Sequence, residues 1–282
     1  MKIQYGTILA TSAISTACAF QSPGLNAKRS FALQSFMDEA QDARAQTAMS
    51  SGFKDSLDRQ GMVGSQDLAK KAWQISPMVR IEGKTRKTFQ FHDISKEVVQ
   101  VVIESDGRPI HSDIELWIGP DWTPMKMSVY SEDGRVRPVQ TLVGTRNMMN
   151  NIEVRNTADY QFPMRAGAAQ ATPALTQLRS TILAEGPSRY IEGGGAVKSF
   201  DFPPNVDQIQ VCLSTDTRQL DARVELLNGP NNYKQVCSIF TNNGLKNSLF
   251  IVFNTPGSGN VVRVRNMAPL EFPCKASVAP VE

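Results

Sequence analysis

The chain of 282 residues is long enough for two domains of ordinary size, and with 41% hydrophobic and 20% charged residues its composition is that of a globular protein. It lacks any run of about eighteen apolar residues, which excludes a membrane-spanning helix. The net charge of +3 lies wholly in residues 1–37, which hold Lys2, Lys28 and Arg29 and no acid; the remaining 27 basic side chains match 27 acidic ones. A neutral body excludes a polyanion such as nucleic acid as partner and removes the self-repulsion that holds copies of a protein apart.

Met1-Lys2, a mildly apolar stretch and the small residues Ala17-Cys18-Ala19 read as a signal peptide over residues 1–19, cut between Ala19 and Phe20. Residues 20–37, rich in Ser and Ala and free of acids, read as a plastid transit peptide. An aromatic directly after the cleavage point resembles the two-part presequence of algae with complex plastids; the alternative is an ordinary secreted protein. Once Cys18 leaves with the signal, Cys212, Cys237 and Cys274 remain. Three cysteines make a poor disulfide framework and fit a reducing compartment such as the stroma.

Residues 38–64 form a polar arm, expected to be weakly helical or disordered. A short helix is expected from its cap at Ser65, with Leu68, Ala72 and Ile75 on one face. A second helix has sharper signals: Thr172 as cap, Pro173 in the first turn, Leu175, Leu178 and Ile182 on one face, and Gly186-Pro187 as the stop. Between and after the helices the pattern has period two. Val99, Val101 and Ile103 alternate with Gln100, Val102 and Glu104, and Ile209, Val211 and Leu213 repeat the theme. Asp106-Gly107, Asp133-Gly134, Asn228-Gly229 and Asn243-Gly244 have the composition of hairpin turns. Leu249–Phe253, apolar throughout, reads as a central strand covered on both faces.

The chain is one unit written twice. Ile114-Glu115-Leu116-Trp117-Ile118-Gly119-Pro120 returns as Val224-Glu225-Leu226-Leu227-Asn228-Gly229-Pro230, a shift of 110 residues from Pro120 to Pro230. At the same shift Ile81-Glu82-Gly83 meets Ile191-Glu192-Gly193, Val154-Arg155-Asn156 meets Val264-Arg265-Asn266, and Phe162-Pro163 meets Phe272-Pro273. The expected fold is therefore all-β: two tandem homologous antiparallel β-sandwich-like units with pseudo-two-fold symmetry, each preceded by a short helix. The first repeat spans residues 65–168, the linker helix and second repeat 169–278, and a tail 279–282.

Catalytic chemistry finds little support. The two histidines, His92 and His111, meet Pro203 and Asp221 in the second copy, so neither recurs. The cysteines, spaced 25 and 37 residues apart, match no metal-ligand motif, and Cys237 aligns with Met127 on an apolar strand face, as a buried thiol would. Gly193-Gly194-Gly195 and Gly257-Ser258-Gly259 lack the Lys-Ser/Thr and helix that a phosphate loop requires. The recurring acids Glu82/Glu192 and Glu115/Glu225 occur one per repeat, as salt-bridged structural residues would. No catalytic residue, cofactor or metal is expected.

What remains is surface. With Ile114, Leu116 and Ile118 facing the core, Glu115 and Trp117 point away from it, as do their equivalents Glu225 and Leu227. These four, Trp122 in the loop after Pro120, and the recurring Arg155 and Arg265 are the candidate assembly contacts; the alternative is that helices cover these positions. A duplicated unit presents two similar surfaces, so heterologous contacts between copies can propagate without closing. The polar arm and the tail from Phe272 to Glu282 are further candidates for clasping neighbours.

The presequence, the two β-rich repeats opening near Ile81-Glu82-Gly83 and Ile191-Glu192-Gly193, and the neutral body resemble the pyrenoid shell proteins of diatoms over roughly residues 65–278. The resemblance implies a structural homo-oligomer, a sheet or tube lattice at the pyrenoid periphery in the plastid stroma. Such a lattice would enclose Rubisco, together with related shell proteins, and support the CO2-concentrating mechanism and carbon fixation. The rival readings are a tandem ligand- or glycan-binding module and, third, a plastid enzyme such as a carbonic anhydrase.

Overall fold

The computed structural model describes residues 72–281. The presequence, the polar arm and the expected helix from Ser65 through residue 71 lie outside them. The described part is nearly all strand. The first repeat gives β1 (Val79–Ile81), β2 (Arg86–Phe91), β3 (Val98–Glu104), β4 (Ile110–Ile118), β5 (Trp122–Ser131), β6 (Val139–Gly144), β7 (Asn150–Asn156) and β8 (Met164–Gln170). After helix α1 (Pro173–Glu185) the second gives β9 (Ser188–Ile191), β10 (Val197–Phe202), β11 (Gln208–Ser214), β12 (Leu220–Leu227), β13 (Tyr233–Thr241), β14 (Leu249–Asn254), β15 (Asn260–Asn266) and β16 (Cys274–Pro280).

Within each repeat the eight strands wind into two four-stranded sheets in jelly-roll order, β1-β8-β3-β6 against β2-β7-β4-β5. The repeats then join edge to edge. Sheet A runs β1-β8-β3-β6-β14-β11-β16-β9, and sheet B runs β10-β15-β12-β13-β5-β4-β7-β2. The registers across the two seams locate the pseudo-two-fold axis. In sheet B Ser128 pairs with Ser238, and in sheet A Thr141 pairs with Ile251, each residue facing its own equivalent 110 positions on. The duplication read from the sequence is thus a symmetry of the fold, and the tandem units share continuous sheets.

The alternation of apolar residues supplies the packing. Val99, Val101 and Ile103 of β3, Ile114, Leu116 and Ile118 of β4, and their counterparts in β11 and β12 point inward and form one core that extends through both repeats. The outer face of sheet A is apolar as well. Val98, Val102, Leu142, Cys212, Phe250 and Val252 form a second cluster there with Trp73 and with Leu175 and Ile182 of α1. The helix is set as its sequence dictates. The Thr172 side chain accepts from the Leu175 amide, Pro173 opens the first turn, and Gly186 caps the end. Leu249–Phe253 is buried throughout because β14 lies at the centre of sheet A between these two cores.

Several local expectations are corrected. Asn228-Gly229 does turn a hairpin between β12 and β13 within sheet B. Asp106-Gly107, Asp133-Gly134 and Asn243-Gly244 instead carry the chain from one sheet to the other. At the latter two pairs glycine is needed for close approach: a Cβ on Gly134 would lie 2.3 Å from Ile110 Cδ1, and one on Gly244 2.4 Å from Thr215 Oγ1. The first helix is over by Trp73, so Ile75 lies beyond it. Trp122 is the first residue of β5, paired with Ile118, and not part of a loop. The tail is not an extended free end as far as Pro280, because Cys274–Pro280 is β16, with Ala279 and Pro280 paired to Gln210 and Ile209.

The repeated anchors meet at one corner of each repeat. The Asn156 amide donates to the carbonyls of Ile81 (3.2 Å) and Phe162 (2.9 Å) and accepts from the Ala158 amide (3.0 Å). Asn266 does the same with Ile191, Phe272 and Ala268 at 3.0, 2.9 and 3.1 Å. Gly83 and Gly193 sit against the backbone at Asp159 and Pro269, with no room for a Cβ. Buried polar groups must be paired, and this clamp explains why these residues recur together.

Candidate functional site

Helix α1 covers sheet A, whereas the outer face of sheet B carries no covering element among the described residues. Its strands alternate as half-exposed sheets do, with core residues inward and polar or charged ones outward. Glu115 and Trp117 lie on this outer face as expected. The Trp117 indole donates to Glu115 Oε2 at 3.2 Å, and Lys126 Nζ pairs with Glu115 Oε1 at 3.2 Å. Trp117 is half-buried, with Asn151 across the strand pair.

The two repeats arrange their outer charges differently. In the first, Glu115 stands directly opposite Glu153, a like-charge pair. Lys126 on one side, and Arg86 and Arg155 at 3.4 and 3.0 Å from Glu153, compensate it. In the second, Arg263 takes the place of the second carboxylate. Glu225 receives Arg263 Nε at 2.6 Å and Arg223 Nε at 2.7 Å, and its side chain is only 7% exposed. Burial works to raise the Glu225 pKa, but the hydrogen bonds from Arg223 and Arg263 prevail and hold it below the usual carboxylate value.

The expected contact residues therefore separate into those that offer surface and those that do not. Trp117, Glu115, Arg155 and Arg265 are accessible to varying degrees. Glu225 is occupied by its two arginines. Leu227 points away from the main core but is only 5% exposed, beside Tyr233 and Val261 on the flanking strands, so it presents little to a neighbour. Trp122 stands apart, 39% exposed, with the Arg146 guanidinium 5.1 Å above its ring. The residue that the pattern missed is Phe240, an outward phenylalanine on β13 at the seam, 46% exposed. A period-two reading of Tyr233–Thr241 places it opposite the core residues Cys237 and Ile239. Beside the seam is a hollow of about 360 Å³ lined by His111, Asp113, Ser128, Tyr130, Arg223 and Ser238 among others.

Neither histidine is placed among ligands. His111 packs against Tyr130 with ring centroids 4.9 Å apart, and His92 is exposed. The three cysteines are buried and unpaired by disulfides, and burial pushes the thiols of Cys212 and Cys237 up to about 12. Among the described residues no group of three or more His, Cys, Asp or Glu could hold a metal ion, and no helix is long and apolar enough to cross a membrane.

Fold and surface together define a duplicated jelly-roll protein whose apolar outer face is covered and whose charged outer face carries no cover among the described residues. A sequence profile of the diatom pyrenoid shell protein family matches residues 73–280, and the chain belongs to that family. Its role is accordingly a structural one in the pyrenoid of the plastid. No curated protein matches the chain significantly. Among solved structures it is similar to the PBSX exported protein XepA (10% identity, 73% of this chain and 86% of that one, TM-score 0.25). It is also similar to the conserved protein PA5104 from Pseudomonas aeruginosa PAO1 (8% identity, 72% and 80%, TM-score 0.18). An exo-beta-1,3-galactanase from Phanerochaete chrysosporium follows (10% identity, 55% and 54%, TM-score 0.22). At such scores none of the three carries an argument about this chain.

Proposed function

We propose that copies of this chain assemble through the outer face of sheet B into a sheet-like shell at the periphery of the Rubisco-containing pyrenoid. There the shell supports the CO2-concentrating mechanism and does no catalysis. The observation that carries this reading is the bare face. Among the described residues, α1 covers the apolar outer face of sheet A, whereas nothing covers the outer face of sheet B, where Trp117 is half-buried and Phe240 exposed. The edges of sheet B are poorer candidates, since β2 carries Arg86 and Lys87 and β10 carries Lys198, charges that discourage edge-to-edge pairing. The pseudo-two-fold axis supports propagation, because a face that emerges at Ser128 and Ser238 presents two related halves to its neighbours. Related shell proteins are proposed as further members of the lattice; Rubisco is what the shell encloses.

The test uses purified protein without residues 1–37, followed by light scattering and electron microscopy at rising concentration. Wild type should form extended sheets or tubes. Trp117→Glu should stay folded by circular dichroism yet remain small, since a large side chain at the centre of an interface contributes about 2 kcal/mol or more. Sheets that form unchanged from this variant and from Phe240→Glu would remove the face from the proposal. For the targeting part, residues 1–37 fused to a fluorescent protein should reach the plastid, and Phe20→Ala should strand the fusion in an earlier compartment.

A further inference from the structure

One cluster of cations lies outside the outer face of sheet B, with a single carboxylate against three positive charges. At the end of the seam in sheet A, a pocket of about 330 Å³ is lined by Arg146, Asn147, Arg179, Lys246, Leu245 and Glu97. Arg146 comes from the turn after β6, Arg179 from α1, and Lys246 from the turn before β14, so three separate elements bring their charges together. Among the described residues none of the three cations has an acid within ion-pair distance. Glu97, at the exposed rim, is the only acid lining the pocket, which leaves a surplus of two positive charges.

The two guanidinium groups are held by neutral partners that leave donors unused. Arg146 Nε donates to Asn247 Oδ1 at 2.7 Å, and its Nη2 donates to Asn242 Oδ1 at 3.1 Å and also to Asn247. Asn247 is itself fixed, its amide donating to the Gly144 carbonyl at 2.7 Å. Arg179 Nη2 donates to Ser248 Oγ at 2.7 Å, while its Nε is buried without any partner. Burial lowers the pKa of both arginines. Half-buried guanidinium groups without a carboxylate in contact favour an anion.

The pocket also departs from the internal symmetry. At the pseudo-symmetric place Pro256, Gly257 and Val136 replace Arg146, Asn147 and Lys246. Gly257 adopts φ 74° without a Cβ, but Arg146 and Asn147 hold φ 58° and 53°, a left-handed backbone that side chains disfavour. The first repeat thus accepts strain in order to place an arginine where the second has a plain turn. Lys84 and Asn231 hold a similar backbone, so it is the departure from the internal symmetry that singles out this turn.

We infer that Arg146, Arg179 and Lys246 form a binding site for a phosphoryl group, a dianion that matches the charge surplus and the forked geometry of two arginines. The volume leaves space for a small organic portion beside the phosphate. The test is calorimetric titration of the full chain with inorganic phosphate and, separately, glycerol 3-phosphate, each against sodium chloride at equal ionic strength. Saturable binding near one per chain is expected. Lys246→Ala, at an exposed position, and Arg146→Gln should each weaken it about tenfold or more, the loss of one charge-assisted contact. Arg135→Ala, at the pseudo-symmetric place of Leu245, should leave it unchanged. Weaker binding of the ester identifies the ligand as free phosphate, and equal or tighter binding of the ester shows that the site admits a phosphate monoester. No saturable binding of either probe, or binding that survives both pocket variants in folded protein, overturns the site.

Discussion

The two outer faces of the sandwich differ more than the two repeats do. Near the seam, sheet A turns Leu142, Phe250 and Val252 outward beneath α1, whereas sheet B turns outward Ser128, Tyr130, Ser238 and Phe240. One face is therefore a second core and the other is a surface with charges laid across it. A sheet with both faces apolar must bury both, so the linker helix has a task beyond connecting the repeats. It seals sheet A across the junction, whereas no element among the described residues covers sheet B, the face proposed for contact between copies.

The largest effect that would break this contrast is in the second core. Phe250 is fully buried, and Phe250→Ala should cost about 3–5 kcal/mol, with Leu175→Ala on α1 costing about 2–5. Trp117→Ala on the bare face should cost the isolated chain less than either, because its ring is only half covered. Urea unfolding at a concentration too low for assembly checks this order. Equal losses at Trp117 and Phe250 would mean that sheet B's outer face is an internal surface after all.

Much of this contrast was legible in the sequence. The 110-residue shift predicts the pseudo-two-fold axis, and the run Leu249–Phe253 predicts a strand with two covered faces, because period and burial are written in side-chain type. The cap, proline and glycine of α1 give its boundaries for the same reason. Connectivity was less legible. Asp133-Gly134 and Asn243-Gly244 have hairpin composition, but composition specifies a tight bend and not the sheet to which the next strand goes. Leu227 shows a similar limit. Alternation places it on the outer face, yet its accessibility depends on neighbours from β13 and β15 that only the register brings beside it. The cationic pocket was invisible because Arg146, Arg179 and Lys246 belong to three elements with no common spacing.

A middle-sized effect would sharpen the contrast between the repeats on the bare face. Glu225→Gln removes the carboxylate shared by Arg223 and Arg263 and should cost about 1–3 kcal/mol. Glu115→Gln, whose ion-pair partner Lys126 is exposed, should cost about 1 kcal/mol or less. The pH dependence follows from the sign of the shift. A carboxyl whose pKa is lower in the folded than in the unfolded chain stabilises fully above the unfolded value, about 4.3. That contribution is lost as pH falls through the folded value. Wild type should thus lose stability in acid more steeply than Glu225→Gln, and parallel curves for the two proteins would show that the pair contributes nothing.

The smallest effect is read with the native cysteines as reporters. Cys212 lies in the cluster beneath α1, while Cys237 and Cys274 lie in the main core between the sheets. All three are buried, and their thiols are held at about 12, 12 and 11, so the folded protein should react only through transient opening. Uncovering Cys212 requires α1 to lift; uncovering the other two requires the sandwich itself to part. With a thiol reagent at pH 8 and peptide mapping over time, Cys212 should label first. Leu175→Ala, which loosens the helix, should speed Cys212 more than it speeds Cys237. If all three label at one rate in both proteins, the cover and the main core open as a single unit. The second core would then be part of the first in every respect except position.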